Sequence, residues 1–77
     1  MKTVTVYSTP SCVYCKMAMA YFDQKGVKYV KKDVMVDEAA RAEMVQKTGQ
    51  LGVPVLDIGG KIIIGFDKTS INEALGI

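Results

Sequence analysis

Strand-type and helix-type patterning alternate along this chain in an order that leaves few ways to layer it. Thr3-Val4-Thr5-Val6-Tyr7 is β-branched and aromatic throughout, which favours a strand. Ser8-Thr9-Pro10-Ser11 is a turn cluster that ends it. From Cys12 to about Lys25 helix formers take over. Met17, Ala20 and Tyr21 fall on one face, with Phe22 beside them, so this stripe is expected to face the core. Gly26 stands where a C-cap glycine stops a helix. Val27 to Val34 reads as a second strand. Asp37 is a good N-cap for a helix running to about Thr48, with Ala40, Met44 and Val45 inward and Gly49 closing it. Val53 to Ile58 is a third strand, Gly59-Gly60 a two-residue hairpin signal, and Lys61 to Gly65 the returning fourth strand. Asp67 can then cap a short last helix through Asn72 to Leu75.

The order is β-α-β-α-β-β-α. A strand–helix–strand opening requires a parallel pair with a right-handed crossover. The Gly-Gly turn makes the last two strands antiparallel. A mixed four-stranded sheet flanked by three helices satisfies both conditions, which is a thioredoxin-like α/β core. At 77 residues, positions 1–77 are expected to form a single domain without repeats or linkers.

Composition removes several classes of function. With 49% hydrophobic and 23% charged residues the chain is an ordinary globular domain, not a disordered one. A net charge of +2 is too small to argue for nucleic acid or an anionic membrane as partner. No apolar stretch approaches the roughly 20 residues of a membrane helix. Met1-Lys2 leads straight into the first strand pattern, with no leader-like segment, so a reducing, cytoplasmic setting is expected.

Chemistry concentrates in Cys12-Val13-Tyr14-Cys15, the chain's two cysteines, at the start of the first helix. Peptide dipoles and unpaired N–H groups there favour negative charge, and a C-x-x-C thiol at such a site titrates at roughly 3.5–7.5 instead of about 8.5. A disulfide three positions long closes too small a loop to constrain much chain entropy, so its use is chemical rather than structural. The bland alternative is a pair of small buried hydrophobes. Two thiolates also make half a tetrahedral zinc shell, but the chain has no histidine and no third cysteine, so no metal site is expected within one chain. The methionines Met17, Met19, Met35 and Met44 follow helix faces or lie scattered, as core or surface residues.

Three stretches at matching spacing make the chain resemble a glutaredoxin over nearly its whole length. They are Tyr7-Ser8-Thr9-Pro10-Ser11-Cys12-Val13-Tyr14-Cys15-Lys16, then Gly52-Val53-Pro54-Val55, then Gly65-Phe66-Asp67. Among the subgroups it is most similar to small glutaredoxin-like proteins of the YruB type. Val13 in place of proline, with Gly65-Phe66, resembles NrdH-type redoxins.

The resemblance implies a thiol–disulfide oxidoreductase that binds no cofactor, uses glutathione as co-substrate and acts on disulfide-containing proteins as a monomer. Cys12 would be the nucleophile and Cys15 the resolving thiol. Tyr14, Val53, Pro54, Gly65, Phe66 and Asp67 would contact the bound thiol. The Val53-Pro54 bond would be cis, with Val53's backbone free to pair with an extended substrate. Phe66 would otherwise serve as an apolar contact for a protein partner. Lys16, by its position one past Cys15, reads either as a merely solvated lysine or as a source of positive potential near the thiolate. Two positions depart from the family pattern. Thr9 stands where glutaredoxins usually carry a lysine or arginine for glutathione's glycine carboxylate, and Lys68 where many have an acidic residue for its γ-glutamyl amine. These departures admit an NrdH-type donor reduced by thioredoxin reductase. A third possibility, from another class, is a dimer that binds an iron–sulfur cluster.

Overall fold

The computed structural model describes residues 3–77; Met1 and Lys2, expected to lead into the first strand, lie outside the described residues. Seven elements follow in the expected order: β1 (Val4–Ser8), α1 (Val13–Gln24), β2 (Val30–Asp33), α2 (Glu38–Thr48), β3 (Val55–Ile58), β4 (Lys61–Ile64) and α3 (Lys68–Leu75). The sheet runs β2-β1-β3-β4. β1 and β2 are parallel; β1 with β3, and β3 with β4, are antiparallel. This is the thioredoxin-like arrangement of three helices on a four-stranded mixed sheet.

Strand parity divides the interior. Val4 and Val6 of β1, Leu56 and Ile58 of β3 and Ile63 of β4 point to one face, where they bury Ala18, Tyr21 and Phe22 of α1 with Ile71 and Ala74 of α3. The alternate residues Tyr7 and Val55 point to the other face, against Val34 and against Ala40 and Met44 of α2. α1 ends in a Schellman pair: the Val27 N–H donates to the Phe22 carbonyl at 2.8 Å and the Gly26 N–H to that of Asp23 at 3.2 Å. Gly26 holds φ +69°, as that motif requires. At the hairpin both Gly59 and Gly60 have positive φ, the signature of a tight turn matched to sheet twist.

Five expectations are corrected. The buried stripe of α1 is Cys15, Ala18, Tyr21 and Phe22; Met17 and Ala20 face outward, because the side that packs on the sheet is the one shared by Cys15, Ala18 and Phe22 at i, i+3 and i+7. β2 is shorter than Val27–Val34: its pairing with β1 starts only at Val30, opposite Thr5, so Val27 and Tyr29 pack on the core without joining the sheet. β3 starts at Val55 rather than Val53, since Pro54 has no N–H to give the ladder, and β4 ends at Ile64 because Gly65 turns to φ +89°. β1 is Val4–Ser8 rather than Thr3–Tyr7: Thr3 lies outside it, and Ser8, assigned to the turn by its type, is its last residue.

Candidate active site at the start of α1

The parallel and antiparallel registers bring three chain segments to one end of the sheet. Tyr7 pairs with Val55, and Val55 with Ile64. Just beyond these pairs, the loop after β1, Val53-Pro54 ahead of β3 and Gly65 after β4 therefore share that end. A hydrogen bond from the Gly65 N–H to the Pro54 carbonyl, 2.8 Å long, ties the last two together. The Val53–Pro54 peptide bond is cis, and Pro54 is buried.

The turn after β1 closes when the Cys12 N–H donates to the Thr9 carbonyl at 3.2 Å. Cys12 is then the N-cap of α1, with extended backbone angles, and its sulfur accepts the Cys15 N–H at 3.1 Å. The sulfur thus takes the place of the hydroxyl or carboxylate oxygen that usually satisfies an orphan N–H at a helix start. No acidic residue occupies the first turn of α1, so the positive end of the helix is not offset from within. Cys12 and Cys15 are joined as a disulfide, their Cα atoms 5.2 Å apart. Their environments differ. Cys15 is completely buried, whereas Cys12 is half-buried and flanked by Val13 and Tyr14, which are 66% and 61% exposed. A half-buried sulfur at the cap, backed by a sealed one within reach, can open outward and be closed again from inside.

The other expected residues are distributed unevenly. Asp67 caps α3, accepting the N–H groups of Thr69 and Ser70 at 3.1 and 3.3 Å and the Ser70 hydroxyl at 3.0 Å. The Ser70 hydroxyl bond, then its backbone bond, hold the Asp67 carboxyl below the usual aspartate value. Phe66 is half-buried and meets Tyr21 edge-on with ring centroids 5.9 Å apart. Lys68 places its ammonium 5.5 Å from the Tyr21 ring centre and 6.0 Å from that of Phe66, so it caps an aromatic pair. Lys16 is exposed one position past Cys15. Among the described residues no three His, Cys, Asp or Glu side chains gather as a metal site.

Sequence reading passed over a polar network on the opposite face. Tyr7 donates its hydroxyl to Glu43 and accepts from Lys47 at 3.0 Å; Lys47 also reaches Asp57 at 2.7 Å, and Lys32 reaches Glu43 at 3.0 Å. The available signal was the Glu43–Lys47 pair, four residues apart on one helix face.

Comparison with known proteins gives a consistent picture. A glutaredoxin family model matches residues 4–63. An uncharacterized glutaredoxin-like 8.6 kDa protein in the rubredoxin operon of Clostridium pasteurianum is 39% identical over 72 residues, covering 94% of this chain and 96% of its own. A mutant of the thioredoxin-like protein BC3987 superposes with a TM-score of 0.91 at 28% identity, covering 100% of this chain and 99% of the other. A buckwheat glutaredoxin solved as its glutathione complex gives 0.75 at 33% identity, covering 97% of this chain and 71% of that one.

Proposed function

We propose a division of labour at this site from the premise that the chain belongs to the glutaredoxin family and is a thiol–disulfide oxidoreductase. In the reduced protein Cys12 attacks one sulfur of a substrate disulfide as the thiolate. The S–S bond breaks, one substrate thiolate leaves, and a mixed disulfide with Cys12 forms. The Cys15 thiolate then attacks the Cys12 sulfur, releases the second substrate thiol and regenerates the Cys12–Cys15 disulfide. Two electrons pass to the substrate. Two molecules of glutathione return them, leaving as glutathione disulfide.

The observation that carries this assignment is the asymmetry of the pair: a half-buried Cys12 sulfur accepting a helix N-terminal N–H, and a Cys15 with no exposure. Glutathione as reductant is supported by the buckwheat relative bound to it. Tyr14, Val53, Pro54, Gly65, Phe66 and Asp67 are the proposed contacts of the bound thiol, with Val53's backbone pairing to an extended substrate. We place this activity in a single, monomeric domain over residues 1–77 that needs no metal, and in the cytoplasm, where thiols are kept reduced. Among the described residues no helix is long and apolar enough to cross a membrane.

Reduction of a model disulfide by glutathione with its reductase, run beside thioredoxin reductase, tests both parts. Cys12→Ser is expected to lower the rate by on the order of a thousandfold or more. Cys15→Ser is expected to accumulate the mixed disulfide at Cys12, visible by intact mass. Retained turnover in Cys12→Ser overturns the assignment of the nucleophile. Turnover with thioredoxin reductase alone overturns glutathione as donor.

A further inference from the structure

Behind the loop that carries Cys12 lies a cavity of about 190 Å³. Ser8 and Thr9 wall it from the end of β1, Lys16 and Met19 from α1, and Lys31 and Asp33 from β2. None of the proposed thiol contacts (Tyr14, Val53, Pro54, Gly65, Phe66, Asp67) lines it. At roughly 30 Å³ per water, it holds several water-sized groups.

Its chemistry is unbalanced in one direction. Lys16 and Lys31 make no ion pair among the described residues, whereas Lys32 and Lys47 are each paired. The single carboxylate in the wall, Asp33, has one oxygen taken by the Met35 N–H at 2.9 Å. Ser8 adds a second and independent observation. It is the only buried polar residue among those described, 2% exposed, and its hydroxyl has no hydrogen-bond partner among them. Yet no side-chain oxygen or nitrogen is sealed in without a partner among the described residues. The Ser8 hydroxyl therefore opens onto the cavity, where a ligand would complete it.

We propose that this cavity binds a small oxyanion, a phosphate, a sulfate or a carboxylate, through the Lys16 and Lys31 ammoniums and the Ser8 hydroxyl. Both ammoniums donate charge-assisted hydrogen bonds, and a buried hydroxyl donor fixes the anion's position. Thr9 links the site to the redox pair, because its carbonyl accepts the Cys12 N–H.

Amide chemical-shift titration of the oxidised protein tests this, with sodium phosphate, sulfate, acetate and chloride at matched ionic strength. Saturable shifts at Ser8, Thr9, Lys16, Lys31 and Asp33 with an oxyanion and not with chloride support the site. Saturation by acetate alone would identify the anion as a carboxylate, and saturation by phosphate or sulfate as a tetrahedral anion. Lys16→Gln combined with Lys31→Gln, both exposed changes that spare the core, is expected to weaken binding at least about tenfold. Ser8→Ala is expected to weaken it about threefold, the loss of one neutral hydrogen bond. Shifts that chloride reproduces, shifts that never saturate, or unchanged affinity in the double lysine variant would each overturn the proposal.

Discussion

The two faces of the sheet are held by different physics. On the α1/α3 face Val4, Val6, Phe22, Leu56, Ile58 and Ile71 are all essentially sealed from water, and no charged side chain is buried among them. On the α2 face the sealed cluster is half that size. Its largest member, Tyr7, carries its hydroxyl to a border of Glu43, Lys47, Asp57 and Lys32. The face bearing both helices of the proposed site, α1 with Cys12 and α3 with Asp67, is thus the apolar one. Apolar burial involves no titrating group and is not weakened by charge screening, so the frame under the cysteines holds while their own charge changes. The α2 face holds by interactions that solvent conditions can weaken.

Removing the centre of the apolar face should have the largest effect. Phe22 has no exposure and lies among Val4, Val6 and Ile71. Phe22→Ala is expected to cost about 3–5 kcal/mol, through lost transfer free energy and a residual cavity. That is a large part of the 5–15 kcal/mol or so that holds a small domain. Urea unfolding measures it. A loss below about 1 kcal/mol would break the contrast between the faces.

A smaller, condition-dependent effect is expected on the α2 face. Burial, then the bond to Glu43, raise the Tyr7 hydroxyl above its ordinary value of 10.0. The bond to Tyr7, then that to Lys32, lower the Glu43 carboxyl below its ordinary 4.5. A raised folded-state value stabilises below pH 10.0 and is lost as pH rises past it; a lowered one stabilises above pH 4.5 and is lost as pH falls. The network therefore supports the fold between those limits and fails on both sides. Tyr7→Phe is expected to cost about 0.5–1.5 kcal/mol at neutral pH, to flatten the alkaline limb of the stability curve, and to cost less in high salt. Melting temperatures across pH and ionic strength check this. An alkaline limb of unchanged slope would show that Tyr7 does not titrate against the fold.

The same contrast explains what was legible in the sequence. Element order was readable because it rests on strong local signals: the β-branched run at Thr3–Tyr7, which became a strand shifted by one residue to Val4–Ser8, and the caps at Asp37 and Asp67 and the turn at Gly59-Gly60, which formed as read. Element ends were not, because they depend on partners. Nothing in Val27-Lys28-Tyr29 reveals that the neighbouring strand starts its pairing opposite Val30. In the site, Cys12 and Cys15 were legible from helix-start chemistry, and the cis bond at Pro54 from family resemblance alone. The edge-on contact of half-buried Phe66 with Tyr21 was not legible, because it joins residues 45 positions apart in the chain. Ser8 was missed because a serine before Thr9-Pro10 carries the same signal whether it turns the chain or ends a strand. Its burial is a tertiary fact.

The smallest expected effect sharpens where the apolar face ends. Large apolar residues dominate a helical pattern, and Met17 outweighs its neighbour Ala18 in any such reading. Yet Ala18 shares the stripe of Cys15 and Phe22 and is fully buried, whereas Met17, one position before it, is 45% exposed. Met17 thus sits outside the cluster to which Ala18, Tyr21 and Phe22 belong. Met17→Ala is expected to change stability by no more than about 0.5 kcal/mol, with alanine's helix propensity offsetting part of the lost contact. Urea midpoints for Met17→Ala and Phe22→Ala, five residues apart on one helix, then measure the phase of α1 directly. A cost near that of Phe22→Ala would mean that the helix is rotated and that Cys15, on the buried stripe, is less sealed than its position here requires.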